Sequence, residues 1–116
     1  MLAALTALCC LPVAAEWRSL GDAGNAEVFV DPTTIVRKGD TATMWSIYAL
    51  KSPASAGNAT YVSLKREDEF DCKEPRMRGL QIAAHPEPMA AGQAVMTEKR
   101  ATPWNAVTPQ SIGEKL

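Results

Sequence analysis

His85 is the only histidine in this sequence, so a Ser-His-Asp or Cys-His hydrolytic site would have to be built on it. It stands before Pro86 at the end of an expected strand, which suits a solvated imidazole better than a general base. One histidine and one cysteine, His85 and Cys72, do not give zinc-ligand spacing. No nucleophile with its base and no carboxylate pair in split environments is assembled elsewhere, so the expectation is a protein that is not an enzyme and uses neither metal nor cofactor. The residues left for function are charged. Glu67, Asp68, Glu69 and Asp71 form an acidic run, with Lys65 and Arg66 before it and Lys73, Arg76 and Arg78 after it. They read either as a binding edge or divalent-cation site, or as cross-strand charge pairing on a wet face, each exposed pair worth about 0 to 1 kcal/mol. The pairing reading is the simpler one. Lys65, Arg66, Lys73, Arg76 and Arg78 are the candidate binding rim, with Lys99-Arg100 as a second small basic spot. Asn58-Ala59-Thr60 matches a glycosylation acceptor, a tripeptide common by chance. Trp17, Trp45 and Trp104 read as core or platform aromatics.

These side chains need a scaffold, and 116 residues with 47% hydrophobic and 22% charged content supply one domain and no more. The formal net charge of -1 creates no global field for phosphate backbones, which argues against a nucleic-acid partner. Met1 to Ala15 is uncharged, rich in Leu and Ala, and ends Pro12-Val13-Ala14-Ala15. It reads as a signal peptide, with Val13 and Ala15 at the small positions before a cut at Glu16. A basic start is missing, which points to a start codon further upstream or to weak insertion. The alternative is an apolar strand or core helix of a cytosolic protein, but the apolar run is too short for a permanent membrane span. Leu8 before Cys9, and Cys9 before Cys10, argue against a lipoprotein. After the cut only Cys72 remains, as a free thiol, an intermolecular bridge or half of a pair.

From Glu16 the chain breaks into short strand-like runs between turn residues, and the expected fold is α+β, mainly antiparallel β. A single meander sheet of about five to six strands occupies residues 16–116. Strands are expected at Glu16 to Leu20, Ala26 to Val30, Thr41 to Leu50, Ala59 to Phe70, Arg76 to His85 and Gln93 to Lys99, with Thr41 to Leu50 central. Thr33 to Arg37 is a brief bridge, Gly21 to Asn25 and Lys38 to Asp40 are turns, and Ser52 to Asn58 is a mobile loop. A hairpin centred on Lys73 would set Leu64 against Ile82, Val62 against Ala84, Arg66 beside Leu80 and Asp68 against Arg78, with the apolar members on one face. Ser111 with Glu114 forms a capping box for a short C-terminal helix.

The order of Trp17, Val30-Asp31, Thr34 to Asp40, Met44-Trp45, Lys65, Phe70-Asp71-Cys72, Arg76-Met77-Arg78 and Trp104 to Ser111 resembles the surface-adhesin protein E family. Its members carry an early Trp, a "D..SI.R.G" run, a "VW" strand, a "DC" followed by basic residues and a closing "W..V.PGS". The match makes Trp17, Asp31, Trp45, Trp104 and Ser111 motif positions. The resemblance implies an antiparallel sheet with a C-terminal helix on one face. It also implies a disulfide from Cys72 to a cysteine near the C-terminus, and binding of host matrix and serum proteins. Two positions depart from it: Gln110 stands where Gly is usual, and no terminal cysteine follows, so Cys72 lacks a partner and the closing helix is expected to be incomplete. The expected role is an exported binding protein, periplasmic, on the outer-membrane surface or secreted, with a protein partner and a homodimer as an open option. The alternative is a periplasmic accessory or stress protein that binds a small ligand or inner partner in a pocket formed by Ser52 to Asn58 and the sheet.

Overall fold

The computed structural model describes residues 16–107 as one antiparallel sheet of eight strands. They are β1 Arg18–Ala23, β2 Ala26–Val30, β3 Val36–Lys38, β4 Thr41–Ala56, β5 Ala59–Asp71, β6 Arg76–His85, β7 Met96–Glu98 and β8 Asn105–Ala106. The lateral order is β1-β2-β4-β5-β6-β7, with β3 on the same side of β4 as β2 and β8 on the same side of β6 as β7. The count exceeds the expected five to six because β3 forms after Pro32 and the tail, beyond the expected strand that becomes β7, adds β8. Among the described residues no α-helix occurs, only 3-10 turns at Pro32–Thr34 and Pro88–Ala90. Ser111 and the expected closing helix, like Met1 to Ala15, lie outside the described residues.

Three of the hairpins close with a two-residue loop, Gly24-Asn25, Gly39-Asp40 and Gly57-Asn58. Glycine with φ near +60 to +70 opens each loop, a conformation free of the Cβ penalty only for that residue. The expected mobile loop Ser52 to Asn58 is therefore corrected: β4 continues to Ala56 and only Gly57 and Asn58 turn. Pro53 is accommodated because the ladder is broken between Ala49 and Ala54, where the missing N–H costs no pair.

The β5–β6 register also differs from expectation. Asp71 pairs with Arg76, Leu64 with Ala84, Arg66 with Ile82, Asp68 with Gly79 and Glu69 with Arg78. The cause is the Asp71 carboxylate. It accepts the amides of Lys73 and Glu74 at 2.9 and 3.1 Å, an Asx-type cap that makes a four-residue turn centred after Lys73 rather than on it. Leu80 is then the extra residue of a bulge, which restores the parity of Leu64, Ala84 and Ile82.

Residues opposite one another in these ladders share a face, so the register divides the sheet. The core face carries Ala26, Val28 and Val30 of β2, Met44, Ser46 and Tyr48 of β4, Leu64, Arg66 and Asp68 of β5, and Ile82 and Ala84 of β6. Most of the fully buried residues lie there, including Val28 and Ala84. The opposite face carries Phe29, Val36, Lys38, Trp45, Ile47, Lys65, Glu67, Glu69, Arg78 and Gln81.

Candidate functional site

The acidic run is split by strand alternation. Glu67, Glu69 and Asp71 point to the second face, where each meets a partner from β6. Gln81 Nε2 donates to Glu67 at 3.0 Å, Arg78 Nε to Glu69 at 2.8 Å and Arg76 Nε to Asp71 at 3.0 Å. Cross-strand pairing thus accounts for three of the four carboxylates. The Trp104 ring then caps the two guanidinium groups, with Arg76 at 4.7 Å and Arg78 at 4.5 Å from its centroid, so both arginines are engaged by a carboxylate and an aromatic face at once. Backbone hydrogen bonds from Glu74 and Lys73, with the bond from Arg76, hold the Asp71 carboxyl below its ordinary value.

Asp68 goes the other way. It is buried on the core face and pairs with Arg66 at 2.7 Å, while its second oxygen has no partner. Burial raises the Asp68 pKa despite the arginine. Arg66 is therefore not part of a rim with Lys65, Arg76 and Arg78; its guanidinium packs over Tyr48 on the core face. The signal was present in the sequence, since Arg66 and Asp68 share the parity of Leu64.

What remains free on the second face is a different set. Lys65 lies over Trp45, 5.2 Å from the ring centroid. Beside Trp45 runs the short edge strand β3, whose first residue Val36 is 50% exposed, as is Ile35 just before it at 46%. Val36 and Lys38 share the face of Trp45 through their partners Thr43 and Thr41. Thr34 fixes this corner by accepting the Trp45 amide at 3.1 Å. Lys73 sits in the neighbouring turn, which is tied to the β3–β4 turn by the Cys72 amide on the Asp40 carbonyl at 2.8 Å. Among the described residues, Arg37, Lys38, Lys65 and Lys73 form no ion pair. The site is thus an apolar and aromatic strip, Ile35, Val36 and Trp45, with unpaired cations around it. Sequence reasoning found Lys65, Lys73 and Trp45 but missed Ile35, Val36 and Lys38, because β3 was read as a bridge.

Asp31 is buried and caps the 3-10 turn, accepting from the Thr33 amide at 3.0 Å and hydroxyl at 2.5 Å, and from the Glu16 amide at 3.2 Å. The hydrogen bond from the Thr33 side chain leads in pulling its pKa down. Trp17 is half-buried just before β1. His85 is half-buried, and Nδ1 lies 3.0 Å from the Gly92 carbonyl in an exposed contact. Cys72 is exposed and forms no disulfide among the described residues. Among the same residues no helix is long and apolar enough to cross a membrane, and no three potential ligands gather as a metal site.

A family model described as surface-adhesin protein E matches residues 17–116. Solved structures of Haemophilus influenzae protein E share the fold. One crystal form aligns with TM-score 0.70 at 11% identity, over 89% of this chain and 84% of that one. Protein E from a non-typeable strain aligns at 0.67 and 12%, over 90% and 74%. No curated protein matches in sequence.

Proposed function

The chain belongs to the surface-adhesin protein E family, and from that premise we propose that it is an exported, non-enzymatic binding protein that grips a partner protein through the strip around β3 and Trp45. The observation that carries this reading is the coincidence of exposed aliphatic residues with unpaired cations on one corner of the sheet. Exposed apolar groups rimmed by charge are how protein-binding surfaces are built, and the excess of lysine and arginine calls for an acidic partner surface that steers encounter. Simple strand addition is less well supported, since β1 is bulged at its edge and β7 and β8 are only three and two residues long, features that blunt sheet edges. Matrix and serum proteins of a host are the partner class proposed.

The test is surface plasmon resonance on immobilised matrix and serum proteins, comparing wild type with Val36→Glu/Lys38→Glu. Both positions are exposed, so the variant should fold normally and lose at least about tenfold in affinity. Equal binding by the two would remove β3 from the interface, and no binding by either would remove the adhesin reading. Protease shaving of whole cells then separates a surface-displayed protein, which is cut, from a periplasmic one, which is protected.

A further inference from the structure

A cavity of about 480 Å³ opens on the core side of the sheet, away from Ser52 to Asn58. It exists because the tail leaves β6 and returns. Glu98 is the last residue of β7 paired, with Ile82, and contact resumes where the Thr102 amide meets the Gly79 carbonyl at 2.9 Å and the Thr102 hydroxyl accepts the Gly79 amide at 2.9 Å. Between them the chain arches away opposite the Leu80 bulge, leaving a hollow with Arg66 and Ile82 on the sheet side and Arg100, Ala101 and Pro103 on the other. Gly79 lies beside Arg66 in this hollow, where a Cβ would stand in ordinary contact at 3.5 Å from Arg66 Nη2.

Arg66 is held as a fixed donor. Its Nη2 bonds Asp68 Oδ1 at 2.7 Å and its guanidinium packs over Tyr48 at 5.4 Å. Among the described residues that is its only hydrogen bond, so the rest of the fork has no protein acceptor. Arg100 adds a second cation at the rim, 82% exposed and only loosely paired with Glu98 at 3.2 Å. Asp68 and Glu98 balance the charges of Arg66 and Arg100, so recognition rests on the unused N–H groups of the Arg66 fork rather than on net charge. A planar monoanion matches the fork, and Ile82, Ala101 and Pro103 offer an apolar wall.

We propose that this cavity binds a carboxylate carried on a short apolar body, the chemistry shared by a peptide C-terminus and a free apolar amino acid, with Arg66 at its floor and Arg100 at its rim. The site is on the face opposite the β3 strip, so it stands or falls independently of the adhesin reading.

The experiment is an amide-resolved NMR titration of the full chain, purified in the form the cell exports, with N-acetyl-leucine, N-acetyl-leucinamide, leucine and inorganic phosphate. N-acetyl-leucine should shift the Gly79 and Thr102 amides saturably, and the amide and phosphate should not. Arg100→Gln should weaken binding about tenfold, the loss of one charge-assisted contact. Ala101→Trp should fill the mouth and abolish the shifts. Both positions are exposed, and unchanged spectra elsewhere confirm folding. Leucine binding as well as its acetyl derivative assigns the site to free amino acids, and weaker leucine binding assigns it to chain termini. Equal shifts with N-acetyl-leucinamide, equal shifts with phosphate, no saturable shift with either carboxylate probe, or undiminished binding by Ala101→Trp would overturn the proposal.

Discussion

Three aspartates that look alike in the sequence are placed in opposed environments, and their titration follows. Asp31 accepts from Thr33 and Glu16, and Asp71 from Lys73, Glu74 and Arg76, so both carboxyls titrate below the ordinary 3.8. A lowered folded pKa contributes stability that is present above the unfolded value and lost as pH falls through the folded one. Asp68 is raised by burial, so its ionisation removes stability as pH climbs from the unfolded value to the folded one. Thermal melting followed from pH 7 downward should therefore show a slight gain as Asp68 takes up its proton, then a loss below about pH 4 as Asp31 and Asp71 take up theirs. The Asp31→Asn/Asp71→Asn double variant should have a shallower acid limb than wild type. An acid limb as steep as the wild type's would mean that neither carboxylate is a charged acceptor in the folded state. Asp31 was legible only as a motif position, because nothing local in the sequence announces that its second oxygen reaches back to Glu16.

At the scale of elements, period-two patterning and Gly-Asn or Gly-Asp pairs carried most of the fold, and the errors came from two local features that patterning cannot see. The Asx cap at Asp71 moved the β5–β6 turn by half a residue, and the Leu80 bulge moved it again. The two shifts together make a whole residue in the turn centre, so the expected apolar parity survived while every expected partner changed. Leu64 now lies between Tyr48 and Ala84 on the core face, and Lys65 over Trp45 on the other. Leu64→Asp should cost about 3 kcal/mol, since it sets a carboxylate among apolar neighbours with no cation to meet it directly across the ladder. Lys65→Asp should cost about 1 kcal/mol, the loss of a cation–π contact plus a new like-charge neighbour in Glu67. Chemical denaturation of the two variants checks this, and equal midpoints would contradict the facial assignment. Most of the binding strip escaped sequence reasoning because β3 has three residues, too few for alternation to register.

The ends of the described chain meet the turns in a way that makes Cys72 a test of the whole molecule. The β5–β6 turn that holds Cys72 touches the β3–β4 turn through Asp40, and the tail returns to the same turn where the Val107 amide meets the Pro75 carbonyl at 2.8 Å. The chain therefore passes Val107 within one turn of an exposed thiol, the geometry that a tether of the kind implied by the family resemblance would use. The only other cysteines in the sequence are Cys9 and Cys10, which a cut before Glu16 would remove. Cys72 then has four fates: it stays a free thiol, it joins a second copy at the same exposed turn, it pairs with an N-terminal cysteine that was never removed, or it pairs with a cysteine beyond Leu116. The protein cut before Glu16 should give Cys72 as a titratable thiol under reductant. Without reductant it should give either that thiol or a reducible dimer on a non-reducing gel. A Cys72→Ser variant should stay monomeric and keep its melting temperature, because the side chain is exposed and holds nothing in place. A monomer with no free thiol in the absence of reductant would instead mean that Cys72 is bonded within its own chain, to a retained Cys9 or Cys10 or to a cysteine beyond Leu116, and mass spectrometry of the intact protein would separate these by the presence of residues before Glu16.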